Sequence, residues 1–176
     1  MRSFIPAVLS FILTAAALSQ GLNLRLKNLD GKKLDLADLC KNRPLVVAFW
    51  ATWCHPCQDE LRQLQQLYQA YADSGIGFLA VSIDEARDQS NVKTLISGHR
   101  YTFPVALDPE QRALKRFGFN DVPGTVILRR HGESLWKHTG YKSGDELKLE
   151  EEIKKLIIRP AADSAEPKPA QEERAE

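Results

Sequence analysis

This chain is poor in sulfur and has almost no excess of either charge, and both shortages narrow what it can be. Of its 176 residues only three are cysteine and one is methionine. Three cysteines cannot build the disulfide framework that holds a small secreted scaffold together. A chain of this length is close to one domain, not two, and can bury a core without such staples. Lys+Arg is 24 against Asp+Glu 23, a net charge of +1. No general field is therefore available to attract nucleic acid or anionic lipid. With 43% hydrophobic and 27% charged residues, the composition excludes collagen, coiled coil and a multi-span membrane protein. There is no internal repeat.

The longest apolar run without charge lies at the start. Residues 1–19 read MRSFIPAVLSFILTAAALS. One cation, Arg2, is followed by an uncharged stretch rich in Leu, Ile, Phe and Ala. Ala15 with Ala17, or Ala17 with Ser19, supply the small residues that precede a cleavage site. That order predicts a secretory signal peptide over 1–19. The run is short for a membrane span of about 20 residues, so a retained anchor is the second reading. Arg159 to Glu176 carries three prolines, many charges and no large apolar residue. It cannot offset its own ordering entropy and is expected to be a disordered tail. The folded domain is then 20–158.

Within it, Asn23 to Asn28 alternates Leu with polar residues before Asp30-Gly31, a strand entering a tight turn. Leu34 to Leu39 returns as a short strand and a helical turn. Pro44 to Trp50 and Ile76 to Ile83 are continuous apolar runs, which suit strands buried on both faces. Between them, Leu61, Leu64, Leu67, Tyr68 and Tyr71 form a helical stripe from Cys54 to Ala72. Asp88 to His99 reads as a helix and Phe103 to Leu107 as a strand. Asp108-Pro109 has the form of an N-cap with Pro at the first helical position, predicting a helix from there to about Phe117. Thr125 to Arg130 and Glu133 to His138 form a hairpin around His131-Gly132. Gly144 to Ile158 is a last helix, with Leu147, Leu149, Ile153, Leu156 and Ile157 mostly on one face. The class is α/β, a mixed central sheet flanked by helices.

Two of the three cysteines sit together in Trp53-Cys54-His55-Pro56-Cys57, between the first buried strand and the amphipathic helix. Strand ends in α/β sheets are where sites collect. Cys54 falls where the helix begins, so unpaired N–H groups and the helix dipole favour its thiolate. Cys57 lies one turn on, on the same face. Cys54 is expected to be the nucleophile that forms a mixed disulfide, and Cys57 the resolving thiol that leaves an internal disulfide. Protonated His55 would favour the thiolate further. Pro56 is tolerated where the N–H it lacks would be unpaired. Trp53, His55 and Pro56 flank Cys54 and are candidates for contact with substrate.

WCHPC after a buried strand, within a β-α-β and terminal β-β-α order, resembles the thioredoxin superfamily. Phe49 to Cys57 (FWATWCHPC), Phe117 to Leu128 (FGFNDVPGTVIL), the N-terminal hairpin and the helix-strand insert at 88–107 resemble the extracytoplasmic TlpA/ResA-type thiol–disulfide oxidoreductases. The resemblance covers roughly 22–158. It implies a thioredoxin fold and a cis Val122–Pro123 bond facing the cysteine pair, with the Val122 backbone pairing with the substrate chain. It also implies a carboxylate near the pair, for which Glu85 matches by position and Asp84 is the neighbour. Either would take the proton of Cys57. Thioredoxin's own buried Asp has no counterpart, because that position is Ala48. The resemblance further implies a reductase working on disulfides of exported proteins, such as apocytochrome c or metal-site thiols, in the periplasm. A membrane thiol-transfer protein would supply its electrons. No cofactor beyond the Cys54–Cys57 disulfide, no metal and no nucleic-acid partner are expected. The membrane is expected to be a partner only if 1–19 is retained.

Other readings are weaker. Structural zinc wants four ligands and only one C-x-x-C is present, so His99, His131 and His138 are read as surface or loop histidines. A haem attachment site needs His at 58, which is Gln. A one-cysteine peroxidase of this superfamily would have Thr at 51, which is Ala. A copper metallochaperone, binding Cu(I) through two thiolates, is the main rival, and a disulfide oxidant is the other. Cys40 is expected to be a small buried hydrophobe, with an intermolecular disulfide or a third redox thiol as the alternative.

Overall fold

The computed structural model describes residue 22 and residues 24–158. The expected signal segment at 1–19 and the expected tail at 159–176 lie outside the described residues. Among the described residues no helix is long and apolar enough to cross a membrane.

Two short strands open the fold, β1 (Arg25–Asn28) and β2 (Lys33–Asp35), paired antiparallel. Asn28 sets their turn: its Oδ1 accepts the N–H of Asp30 at 3.0 Å and of Lys32 at 2.8 Å. Gly31 takes the φ of 79° that the turn needs. Asp35 then caps α1 (Leu36–Cys40) by accepting the Ala37 N–H. The two apolar runs become β3 (Leu45–Trp50) and β4 (Gly77–Ser82), buried at every position and parallel from Leu45↔Gly77 to Trp50↔Ser82. Between them runs α2 (His55–Tyr71), which buries Cys57, Leu61, Leu64 and Leu67.

The helix-strand insert is α3 (Gln89–Gly98) and β5 (Val105–Leu107). β5 lies between β4 and β1, and so joins the N-terminal hairpin to the central sheet. After α4 (Arg112–Arg116) the chain returns as β6 (Gly124–Leu128), antiparallel to β3, and β7 (Ser134–Thr139). α5 (Asp145–Ile158) ends the described chain. Among the described residues the sheet has seven strands in the order β2-β1-β5-β4-β3-β6-β7. It is the mixed α/β sheet expected from the pattern.

Three expectations need correction. The helix after Asp108-Pro109 starts later, at Arg112, with Gln111 at a φ of 55° in the N-cap place. Asp108 still caps it, by reaching across the turn: its carboxylate accepts the N–H groups of Arg112, Ala113 and Leu114 at 3.0, 2.9 and 3.0 Å. Burial pushes the Asp108 carboxyl up, against the pull of those three bonds. Leu147 does not share the buried face of α5, being 64% exposed while Leu149 and Ile153 are buried. His138 is in a strand, as the hairpin predicts, but it is not an open surface histidine. It lies in β7, half-buried and 3.2 Å from the Asp145 carboxylate.

The Phe49 ring of β3 packs against Phe117 and Phe119, with centroids 6.0 and 5.8 Å away. A Cβ at Gly124 would meet the Phe119 ring at 2.8 Å. Glycine there lets β6 pass beneath that ring and pair with Phe49, which brings the loop before β6 to the end of β3.

Candidate active site

β3 ends at Trp50, and the chain turns a corner through Ala51, Thr52 and Trp53 into α2. The Cys54 N–H donates to the Ala51 carbonyl at 3.1 Å, closing the turn. Cys54 is the N-cap of α2, with extended backbone, and its Sγ accepts the Cys57 N–H at 3.3 Å. That is the place of a Ser or Asp cap, filled by sulfur. The first-turn N–H groups that this sulfur caps favour negative charge on Cys54 when it is free. Cys54 and Cys57 are joined by a disulfide, with Cα atoms 5.3 Å apart. Cys54 retains 5% exposure and Cys57 none, so an incoming sulfur meets Cys54 first.

Around Cys54, Trp53 is 64% exposed, and His55 and Pro56 are exposed beside it. The Val122–Pro123 peptide bond is cis. The Val122 carbonyl oxygen stands 3.8 Å from Cys54 Sγ. Pairing of Gly124 with Phe49 accounts for this approach across 68 residues of sequence. Trp53, Cys54, His55, Pro56 and Val122 thus form one surface, with Pro123 buried beneath it.

The two carboxylates after β4 part company. Glu85 turns outward, 67% exposed, and pairs with Arg87 at 3.1 Å. Asp84 turns inward and is 2% exposed. It accepts the Thr52 hydroxyl at 2.6 Å, the Thr52 N–H at 3.0 Å and the Ser82 hydroxyl at 2.8 Å.

A third carboxyl, not singled out from the sequence, is Glu60. It lies one helical turn beyond Cys57, in line with the apolar stripe of α2, and is 6% exposed. Its Oε1 accepts the Thr125 hydroxyl at 2.6 Å, while Oε2 is buried without a partner among the described residues. Thr125 stands opposite Ala48 of β3 and opposite His138 of β7. A buried carboxyl therefore reaches the interior from the helix, near the strand position that Ala48 leaves apolar. Burial raises Glu60 to about 7, the Thr125 bond opposes this, and the Asp145 charge adds to it. Glu60, Thr125, Tyr141 and His138 line one crevice with Asp145. Asp145 is held down at about 2, first by its hydrogen bond from Lys148 and also by His138. The clue in the sequence was an acid one turn past Cys57 on the apolar face.

Cys40 is fully buried, with Sγ 3.6 Å from the Ala37 carbonyl. Burial pushes its thiol up, as suits an inert core sulfur.

Comparison with known proteins agrees with this geometry. The AhpC/TSA family model matches residues 19–133. The chain belongs to that family. It is 29% identical to the thiol-disulfide oxidoreductase ResA of Halalkalibacterium halodurans, over 81% of this chain and 78% of that one. It is 30% identical to the protein of the same name from Bacillus thuringiensis, over 71% and 70%. A thioredoxin-like protein from Porphyromonas gingivalis, solved in solution, superposes with a TM-score of 0.68 at 31% identity, covering 80% of this chain and 94% of its own. The fold is thus the thioredoxin fold, and with the Cys54–Cys57 pair the chain is a thiol–disulfide oxidoreductase.

Proposed function

We propose that the protein is an extracytoplasmic reductase of protein disulfides, working through Cys54 and Cys57. The observation that carries the dithiol chemistry is the asymmetry of the pair, while the reductase direction and the compartment follow from the resemblance to the TlpA/ResA type. Cys54 is at the surface and caps a helix, while Cys57 is sealed behind it. In the reduced protein the Cys54 thiolate attacks one sulfur of a substrate disulfide and expels the other as a thiolate, which takes a proton. The Val122 backbone, whose carbonyl stands 3.8 Å from Cys54 Sγ, is the proposed partner of the substrate chain. Cys57 then gives up its proton and attacks Cys54. The Cys54–substrate bond breaks, the second substrate thiol leaves, and the internal disulfide remains. Two electrons pass to the substrate.

Glu60, whose carboxyl is raised to about 7, suits the role of acceptor for the Cys57 proton near neutral pH. Glu85, directed to Arg87 at the surface, has less support. Exported proteins with thiols kept for metal or haem attachment are the proposed substrates. A membrane thiol-transfer protein is the proposed electron donor.

The test is acid-quenched trapping of Cys54 and Cys57 in cells with an alkylating mass tag, beside capture by Cys57→Ser. A pair found mostly reduced, with mixed disulfides accumulating on Cys54 in the variant, is the expected result. A pair found mostly oxidised would refute the reductase direction and leave a disulfide oxidant.

A further inference from the structure

The corner that presents Cys54 is held from below by a residue that the dithiol steps do not use. Both oxygens of Asp84 are engaged by donors: the Thr52 hydroxyl at 2.6 Å and N–H at 3.2 Å on Oδ1, the Ser82 hydroxyl at 2.8 Å and the Thr52 N–H at 3.0 Å on Oδ2. The Ser82 oxygen in turn accepts the Asp84 N–H at 3.1 Å, which turns its proton toward the carboxylate. The Thr52 N–H can only donate. Such a setting suits an ionised carboxylate. From the other side, the Gln58 amide of α2 donates to the Thr52 carbonyl at 2.8 Å. Thr52 is thus tied to the segment after β4 and to α2 at once, two residues before the nucleophile.

We propose that Asp84 is a positioning residue that governs how readily Cys54 ionises: through Thr52 it fixes the corner, and its buried charge opposes a second charge on the Cys54 sulfur. The inference rests on the dithiol reading given above. Cα atoms two residues apart are at most about 7 Å apart. A carboxylate bonded to the Thr52 N–H therefore acts on Cys54 from roughly 10 Å, about the screening length of ordinary buffers. Because Asp84 is 2% exposed, solvent screens it little. The other titratable groups on the segments beside the corner are His55 and Asp59, exposed on α2, Glu60, buried on α2, and Asp121, exposed before Val122. Glu85 and Arg87 sit after β4 and pair with each other. Asp84 is the one bonded directly to the corner.

The two parts of the role act in opposite directions, which makes the proposal testable. Loss of the charge helps the Cys54 thiolate, whereas a merely loosened corner weakens the Cys57 N–H bond to Sγ and harms it. The experiment uses the full chain, reduced, with Cys54 alkylation by iodoacetamide followed against pH by peptide mass. For Asp84→Asn, which keeps the volume and removes the charge, the alkylation midpoint is expected to fall by about one pH unit. This is the tenfold effect of a unit charge at about 10 Å with an effective dielectric near 20. In glutathione buffer above that midpoint, the reduced pair should be favoured by up to about tenfold over the wild type. Thr52→Val keeps the charge but removes one donor, so its midpoint should rise, while Thr52→Ser should match the wild type. An unchanged or raised midpoint in Asp84→Asn overturns the proposal. Should that variant not fold, an unchanged midpoint in Thr52→Val does so instead. Wild-type protein in which Cys54 is not released by reduction would refute the dithiol reading itself.

Discussion

Glu60→Gln is the substitution that most directly probes the buried carboxyl behind the cysteine pair. Burial raises this group from 4.5 to about 7, two and a half pH units, each equivalent to about 1.4 kcal/mol. A carboxyl raised in the folded state holds its proton more tightly there than in the unfolded chain. Stability is then fully retained below the unfolded value and falls as pH rises, levelling off above the folded value. The wild type should lose roughly 2–3 kcal/mol of unfolding free energy through this one group between pH 5 and pH 8. Glutamine cannot ionise, so the variant should lack that component. The new amide leaves a buried N–H₂ near the unpartnered Oε2 position, at a penalty of about 1–3 kcal/mol. That penalty is the same at both pH values, so the comparison across pH isolates the charge. Urea unfolding of the oxidised proteins at pH 5, 6, 7 and 8 measures it. The variant should be the less stable protein at pH 5 and should gain on the wild type by roughly 2–3 kcal/mol by pH 8. Parallel pH profiles would show that Glu60 does not titrate in this range. The Cys57 deprotonation assigned to it would then fail as well.

Two further changes test how the site is supported. Asp108→Ala should cost about 2–4 kcal/mol in urea unfolding, because the N–H groups of Arg112, Ala113 and Leu114 lose their common acceptor in a buried place; a loss below about 0.5 kcal/mol would mean that water replaces the carboxylate. Gly124→Ala should destabilise by about 1–3 kcal/mol through overpacking, because its methyl would stand 2.8 Å from the Phe119 ring, which is 3% exposed and cannot swing aside. A variant as stable as the wild type would show that the ring and strand yield freely.

What could be read along the chain was local. The runs at Leu45–Trp50 and Gly77–Ser82 are apolar at nearly every position, and a strand buried on both faces needs no further information. The stripe at Leu61, Leu64 and Leu67 fixes the face of α2, and a cysteine at the start of that helix already has its chemistry. The two cysteines lie three positions apart, so their meeting depends only on helix geometry. The cis bond at Val122–Pro123 has no local signal and is legible only through the family resemblance.

The parts that sequence reading placed differently depend on contacts between distant segments. Asp84 and Glu85 are adjacent in the chain, and no pattern says which one turns inward. That is decided by donors on Thr52, 32 positions away. Glu60 looks like an ordinary helix acid until Thr125, 65 positions on, packs over it. The same holds for His138, half-buried because α5 brings Asp145 against β7. Helix and strand periodicity and the helix-start environment of Cys54 are short-range properties, so the elements, the α/β class and the identity of the reacting sulfurs are legible along the chain. Which carboxyl groups lie buried around that pair and which face water is settled in three dimensions, because burial and hydrogen-bond partners come from segments that meet only when the sheet is assembled.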